Sequence, residues 1–150
     1  MFNLKPMNSK DMKKFMEMVN RQWGCEPELD YFFFETADRH IQIVSREFAN
    51  INATNLRINS VGLYLGQIAG EDLRLSIEGS QLIGPFATKG VIKIFDDEVK
   101  GWAGGSDLIS DCMDRGFVII KHGNDFLGSG KLSNNKISNY VPKARRINAI

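Results

Sequence analysis

The sequence predicts an α+β fold, with an N-terminal α/β unit followed by a small mixed β-barrel. Three observations carry this expectation. Met12, Phe15, Met16 and Val19 recur at helical spacing and make one apolar stripe. After them come short β-branched and aromatic runs separated by turn residues. Past Gly84-Pro85 the runs are shorter, closely spaced and interrupted by glycines, the pattern of a small barrel bent at its corners. That dipeptide is the candidate boundary, dividing the chain into residues 1–85 and 86–150.

Asn8 and Ser9 are good helix N-caps, and Asp11 in the first turn suits the helix dipole. Gly24 ends the helix and Pro27 prevents its resumption. The methionine-rich stripe is expected to pack on a sheet. Tyr31 to Phe34 reads as a strand, Thr36 to Arg39 as a turn, and Ile41 and Ile43 as a second strand. Ser45 is expected to cap a short helix from Arg46 to Asn50, followed by polar, structure-breaking residues to Asn55. Val61 to Ile68 and Leu73 to Ile77 form a predicted hairpin around Ala69 to Asp72, and Ser80 caps one helical turn.

In the second unit, Val91, Ile92, Ile94 and Phe95 read as a strand. Asp96, Asp97 and Glu98 read as a solvated turn, and Val99 to Ile109 as a glycine-rich connection with a helical turn near Ser106. Gly116 to Lys121 is a buried strand, Gly123 to Asp125 a turn, and Phe126 to Leu132 a returning strand weakened by Gly128 and Gly130. Ser133 to Asn135 is a turn, and a last strand is expected through Ala144 to Ile147.

Composition narrows the function classes. The chain has 150 residues, 43% of them hydrophobic, as in ordinary globular proteins. No apolar run is long enough to span a membrane, and the N-terminus lacks a signal-peptide layout. Two cysteines, Cys25 and Cys112, do not make a disulfide framework, so a reducing, cytoplasmic compartment is expected. The net charge is only +1, but all 18 acidic residues lie at or before Asp125. Lys131, Lys136, Lys143, Arg145 and Arg146 then follow with no acid among them. Such a tail is either a solvated basic surface or the seat of an anionic partner.

Motifs for catalysis are missing. Gly130-Lys131 is followed by Leu132, and Asp125 stands where a P-loop needs its first glycine. Gly101 to Gly105 sits in no conventional βαβ unit, so it is no dinucleotide fingerprint. His40, His122, Cys25 and Cys112 are too scattered for a metal motif, and no local signature supports a Cys–His nucleophile. No catalytic residue, metal or cofactor is therefore expected.

Residues 116–131, with Leu127-Gly128-Ser129-Gly130 and then Asn139-Tyr140-Val141-Pro142-Lys143 and Arg146, resemble the PUA-like C-terminal domain of Sun/Fmu-type RNA cytosine methyltransferases. Trp102 to Leu108 resembles that family's aromatic-x-x-Gly-x-x-Leu segment. Upstream, Ser60 to Gly66 and Leu73 to Ile77 resemble the pre-PUA region of Nip-type ribosome-biogenesis factors. The resemblance implies a pre-PUA domain followed by a PUA-type barrel. The sequence departs from the methyltransferases in having no Pro-Cys pair and no glycine-rich loop after a first strand. It therefore implies RNA binding, not methylation.

The tail has the chemistry for this role. Lys131, Lys136, Lys143, Arg145 and Arg146 suit phosphates, and Asn139 suits a base edge or a 2′-hydroxyl. Tyr140 is expected to fill the barrel. If the last strand alternates, Lys143 and Arg145 share a face and Arg146 takes the other. Gly128 and Gly130 either admit an RNA backbone or bend the barrel. The expected partner is structured RNA, rRNA or tRNA, bound by an accessory factor in RNA modification or ribosome biogenesis. An RNA-modifying enzyme or a ribosome-assembly protein is a further expected partner, and the alternative is an adaptor whose N-terminal unit docks on an RNA-modifying enzyme or a ribosomal protein. That reading would use the Tyr31 to Phe34 aromatics and the methionine helix, and predicts an exposed apolar patch there.

Overall fold

In the computed structural model, which describes residues 5–46, 62–112 and 115–147, Asn8 opens the first helix as expected. Its side chain accepts from the Asp11 amide at 2.8 Å, and α1 runs Ser9–Trp23. Gly24 closes it in the left-handed region at φ 65°, where an L side chain is disfavoured. Phe15, Val19 and Trp23 are four residues apart and form the buried face of α1. Met12 and Met16 pack beside them, half-buried.

That face covers an antiparallel meander of β1 (Lys5–Pro6), β2 (Tyr31–Glu35), β3 (His40–Ser45), β4 (Leu63–Ala69) and β5 (Asp72–Leu75), adjacent in chain order. Pro6 is confined to the edge strand, where its missing N–H breaks no interior ladder. Phe33, Ile41, Ile43, Leu65, Leu73 and Leu75 point into the core, with the Phe33 and Phe15 rings 5.4 Å apart. The helix expected from Arg46 to Asn50 leaves the described residues after Arg46, and the polar stretch to Asn55 lies outside them.

The hairpin strand ends at Leu75, earlier than expected, because Ser76 caps α2 (Ile77–Ile83) by accepting from the Gly79 amide at 2.9 Å. Ser80 is therefore not a cap. It lies inside α2, fully buried. Gly84–Phe86 continues as one 3-10 turn.

The second sheet is mixed, in the order β6 (Val91–Lys93), β8 (Gly116–His122), β9 (Asp125–Ser133), β10 (Lys136–Asn139), β7 (Leu108–Ile109). β6 and β8 are parallel and the other pairs antiparallel. Among the described residues β6 and β7 do not pair, so the expected barrel is an open half-barrel.

Three local expectations fail here. Ile94 and Phe95 are not in a strand, because the acids after them start α3 (Asp96–Ala103), where three carboxylates in the first turn meet the positive end of the helix dipole. Of the glycine-rich connection, residues 99–103 are helical, Ser106 is not, and Leu108–Ile109 is a strand; α3 buries Trp102, whose Nε1 donates to the Leu127 carbonyl at 2.8 Å. No strand runs through Ala144 to Ile147 among the described residues. Pro142 leads instead into a 3-10 turn, Lys143–Arg145. The last strand is β10, which follows Asn134 and Asn135, both at positive φ as a tight hairpin turn requires.

β8 is buried on both faces. Val118 and Ile120 join Trp102, Leu132, Ile137 and Val141 in the second core. Ile119 and, from β9, Phe126 join the first. The seam between the sheets is polar as well as apolar. Ser80 Oγ accepts from the Gly128 amide at 2.9 Å, and Ser129 Oγ donates to the Leu75 carbonyl at 2.6 Å. α2 lies so close to β4 that a Cβ on Gly79 would stand 2.0 Å from the Leu65 carbonyl oxygen. Ser80→Ala leaves the buried Gly128 amide unpaired, and should cost about 1–3 kcal/mol of unfolding free energy in urea at an unchanged denaturant slope. Gly79→Ala should cost more than Ser80→Ala in the same assay, since the contact it violates is backbone.

Candidate nucleic-acid interface

The six polar tail residues singled out by sequence fall on three local structures. Lys131 projects from β9, Lys136 and Asn139 from β10, and Lys143 and Arg145 from the 3-10 turn, with Arg146 next to it. They do not form one uniform cationic surface, because several are engaged within the protein.

Asn139 is the clearest case. Its side-chain amide donates to the carbonyls of Trp102 and Ser106 at 2.8 and 2.9 Å, and its oxygen accepts from the Val141 amide at 2.7 Å. The side-chain nitrogen thus ties β10 to the end of α3 and the residues just after it, while the oxygen fixes the chain leaving β10. Its backbone N–H donates to Asp107 Oδ1 at 2.8 Å, and Lys136 Nζ stands 3.1 Å from Asp107 Oδ2. The Asn139 amide first, and the Lys136 ammonium second, hold the Asp107 carboxyl below its ordinary value.

The three terminal cations differ in the same way. Arg145 Nη1 lies 2.5 Å from Glu78 Oε1 of α2. Arg146 Nε donates to the Val141 carbonyl at 3.1 Å, and its guanidinium covers Gly105, where a Cβ would meet Nε at 2.5 Å. Lys143 is exposed and has no ion-pair partner among the described residues. Because this segment is not a strand, Lys143 and Arg145 are not paired by alternation.

Gly128 and Gly130 serve the core. Gly128 is at φ 91° against Ile77, and a Cβ on Gly130 would stand 2.9 Å from the Trp102 ring and 2.5 Å from Ile137.

Lys131 belongs to a different arrangement, which runs across the seam. Its Nζ lies 5.8 Å from the centroid of Phe117, directly opposite it on β8. The Phe117 ring meets Tyr140 edge-on at 5.7 Å. The Arg74 guanidinium, from β5, lies 4.9 Å over Tyr140 and donates to Gln67 Oε1 at 2.8 Å. Tyr140 is 36% exposed, so it does not fill a barrel interior. Lys131, Phe117, Tyr140 and Arg74 thus form a row of two touching aromatic rings with a cation at each end, Arg74 coming from the first sheet and the others from the second sheet and the residue after it. Beside it is a crevice of about 90 Å³, lined by Tyr64, Arg74, Glu78, Tyr140 and Arg145. That is too small to enclose a nucleotide, so the row acts as a platform. Phe117 and Arg74 carried no sequence signal of their own: one read as a strand residue, the other as half of a hairpin.

The residues considered for other chemistry stand apart. His122 Nε2 is 2.6 Å from Asp96 Oδ1. No group of three or more His, Cys, Asp or Glu that could hold a metal occurs among the described residues. Burial pushes the Cys25 thiol up, which disfavours its reactive thiolate. No described helix is long and apolar enough to cross a membrane.

Comparison with known proteins bears on the second sheet. Residues 89–147 match the family model described as the methyltransferase RsmF PUA domain. A ribosomal RNA small subunit methyltransferase F of Aeromonas hydrophila is 22% identical over 143 residues, 95% of this chain. The chain spans 29% of that relative's length. The second sheet with α3 is accordingly a PUA-type domain.

Two outcomes follow for the tail's internal contacts. Asp107 has a lowered carboxyl pKa in the folded state, so it contributes stability above the unfolded carboxylate value of about 4, and that contribution disappears as pH falls through the folded value. Asp107→Asn should be less stable than wild type at neutral pH, with the gap closing in urea titrations at progressively lower pH. Asn139→Ala should lower the unfolding midpoint outright at neutral pH.

Proposed function

We propose, with the PUA-type domain at residues 89–147 as the premise, that this chain is a non-catalytic RNA-binding protein. It acts in the cytoplasm as an accessory factor in rRNA or tRNA modification or ribosome biogenesis, and its N-terminal unit serves as a pre-PUA domain. The observation that carries the reading is the row of Lys131, Phe117, Tyr140 and Arg74. Aromatic faces accept unpaired bases of any sequence, and adjacent cations meet the phosphates beside them. Lys143 extends the charge around the rim, and Arg145, paired with Glu78, lines the crevice beside it. Asn139 and Arg146 support the platform from within and are not expected to touch RNA.

The adaptor alternative draws less support from the described residues, where Met12, Met16, Tyr31, Phe32 and Phe34 are half-buried. The exposed large hydrophobics among the described residues are Leu63, Phe86, Phe95, Ile109, Tyr140 and Ile147, with none from the Tyr31 to Phe34 run or the methionine helix.

The test is a fluorescence anisotropy titration with total tRNA and with rRNA fragments at low and moderate salt. Binding should weaken as salt rises. Tyr140→Ala should weaken it about 5- to 150-fold, the equivalent of one stacked base. Lys143→Glu with Arg145→Glu should weaken it further. Wild-type affinity in both variants, with circular dichroism confirming their fold, would remove the row and rim from the interface. No binding of any RNA by the folded wild type would overturn the reading itself.

A further inference from the structure

Like charges held directly opposite each other on neighbouring strands are unfavourable unless something offsets them. Lys93 of β6 and Lys121 of β8 are register partners in the parallel pair. The cleft beside them, about 220 Å³, is lined by Lys89, Lys93 and Lys121 and by no acid. The acid nearest in sequence, Asp96, is taken by His122. Lys121 Nζ rests 5.4 Å from the Phe126 ring, which does not neutralise it.

Lys89 also lines a second cleft of about 300 Å³, together with Arg21, Arg115 and Phe117. Its one acid, Asp72, is already 3.1 Å from Arg21. Among the described residues Lys89, Lys93 and Arg115 have no ion-pair partner. Two clefts sharing one lysine therefore place Arg115, Lys89, Lys93 and Lys121 in a band at the outer strand β6. At one end this band reaches Phe117, which also belongs to the aromatic row.

We propose that this band is a phosphate track, holding the sugar-phosphate backbone of the RNA whose unpaired bases meet Phe117 and Tyr140. The inference rests on the RNA-binding reading and extends the interface to a second edge of the molecule. An RNA strand satisfies both the uncompensated cations and the aromatic end, whereas an acidic polypeptide satisfies only the cations. The band also explains why like charges are tolerated in register: the partner supplies the missing counter-charge.

The experiment uses the full chain and a fluorescein-labelled single-stranded oligoribonucleotide, with affinity measured across a salt series. Neutralising Lys89→Gln, Lys93→Gln and Arg115→Gln together removes three phosphate contacts and leaves the half-buried Lys121 in place. Affinity at low salt should fall about tenfold or more, and the slope of log affinity against log salt should shrink by about 2. Tyr140→Ala should weaken binding while keeping the wild-type slope. If the folded triple variant keeps the wild-type affinity and slope while Tyr140→Ala weakens binding, the track is wrong and the RNA-binding reading stands. If wild type binds no oligoribonucleotide or structured RNA, that reading falls and the track with it. Displacement of the RNA by poly-L-glutamate as readily as by unlabelled RNA, charge for charge, would assign the band to an acidic protein and overturn the track.

Discussion

The structure depends on two hydrogen bonds that cross the seam, both donated from β9 to the first unit. Ser80 on α2 receives the Gly128 amide, and Ser129 on β9 gives its hydroxyl hydrogen to the Leu75 carbonyl. Both serines are buried, so neither bond competes with water, and either one left unmade would strand a backbone group in an apolar setting. Hydrophobic contact alone is non-directional and would let the sheets slide. The serine pair fixes their register. That register brings Arg74, from the first sheet, over Tyr140 from the second, and so assembles a surface that neither sheet holds by itself.

The fold was legible wherever a short local pattern decided the outcome. The cap at Asn8, the stop at Gly24, the turn at Thr36 to Arg39 and the glycine turn before Asp125 depend on residues a few positions apart. The errors arise where a distant contact, or a competing signal a few residues away, overrides the local preference that was read. Gly101 argues against a helix, yet α3 forms because Trp102 anchors it under β9 and three acids suit its first turn. Ser80 looks like a cap, yet Ser76 takes that role one turn earlier, which releases Ser80 to face β9. β10 is four residues long, and its strand character comes from pairing on both sides with β9 and β7.

The site was legible in composition and obscure in arrangement. A run of cations without acids is visible in any listing of the chain, but which of them face solvent depends on partners far away. Glu78 lies 67 residues from Arg145, and nothing local announces their pairing. Asn139 looked like a reader of base edges, and instead its amide knots β10 to α3. The residues that complete the aromatic row were hidden for the same reason. Phe117 sits on the same side of β8 as Ile119, but at the strand's start it meets Tyr140 and Lys131 and lines an open cleft.

The double burial of β8 also bears on inheritance. A module that is shuffled between genes must close its own core, and this strand closes two. Severed from the first sheet, the PUA-type unit would bare Ile119 and Phe126, and the meander would lose part of its floor. The two halves therefore depend on each other for closed cores. The similarity to the methyltransferase extends well upstream of the PUA match, through 95% of the chain.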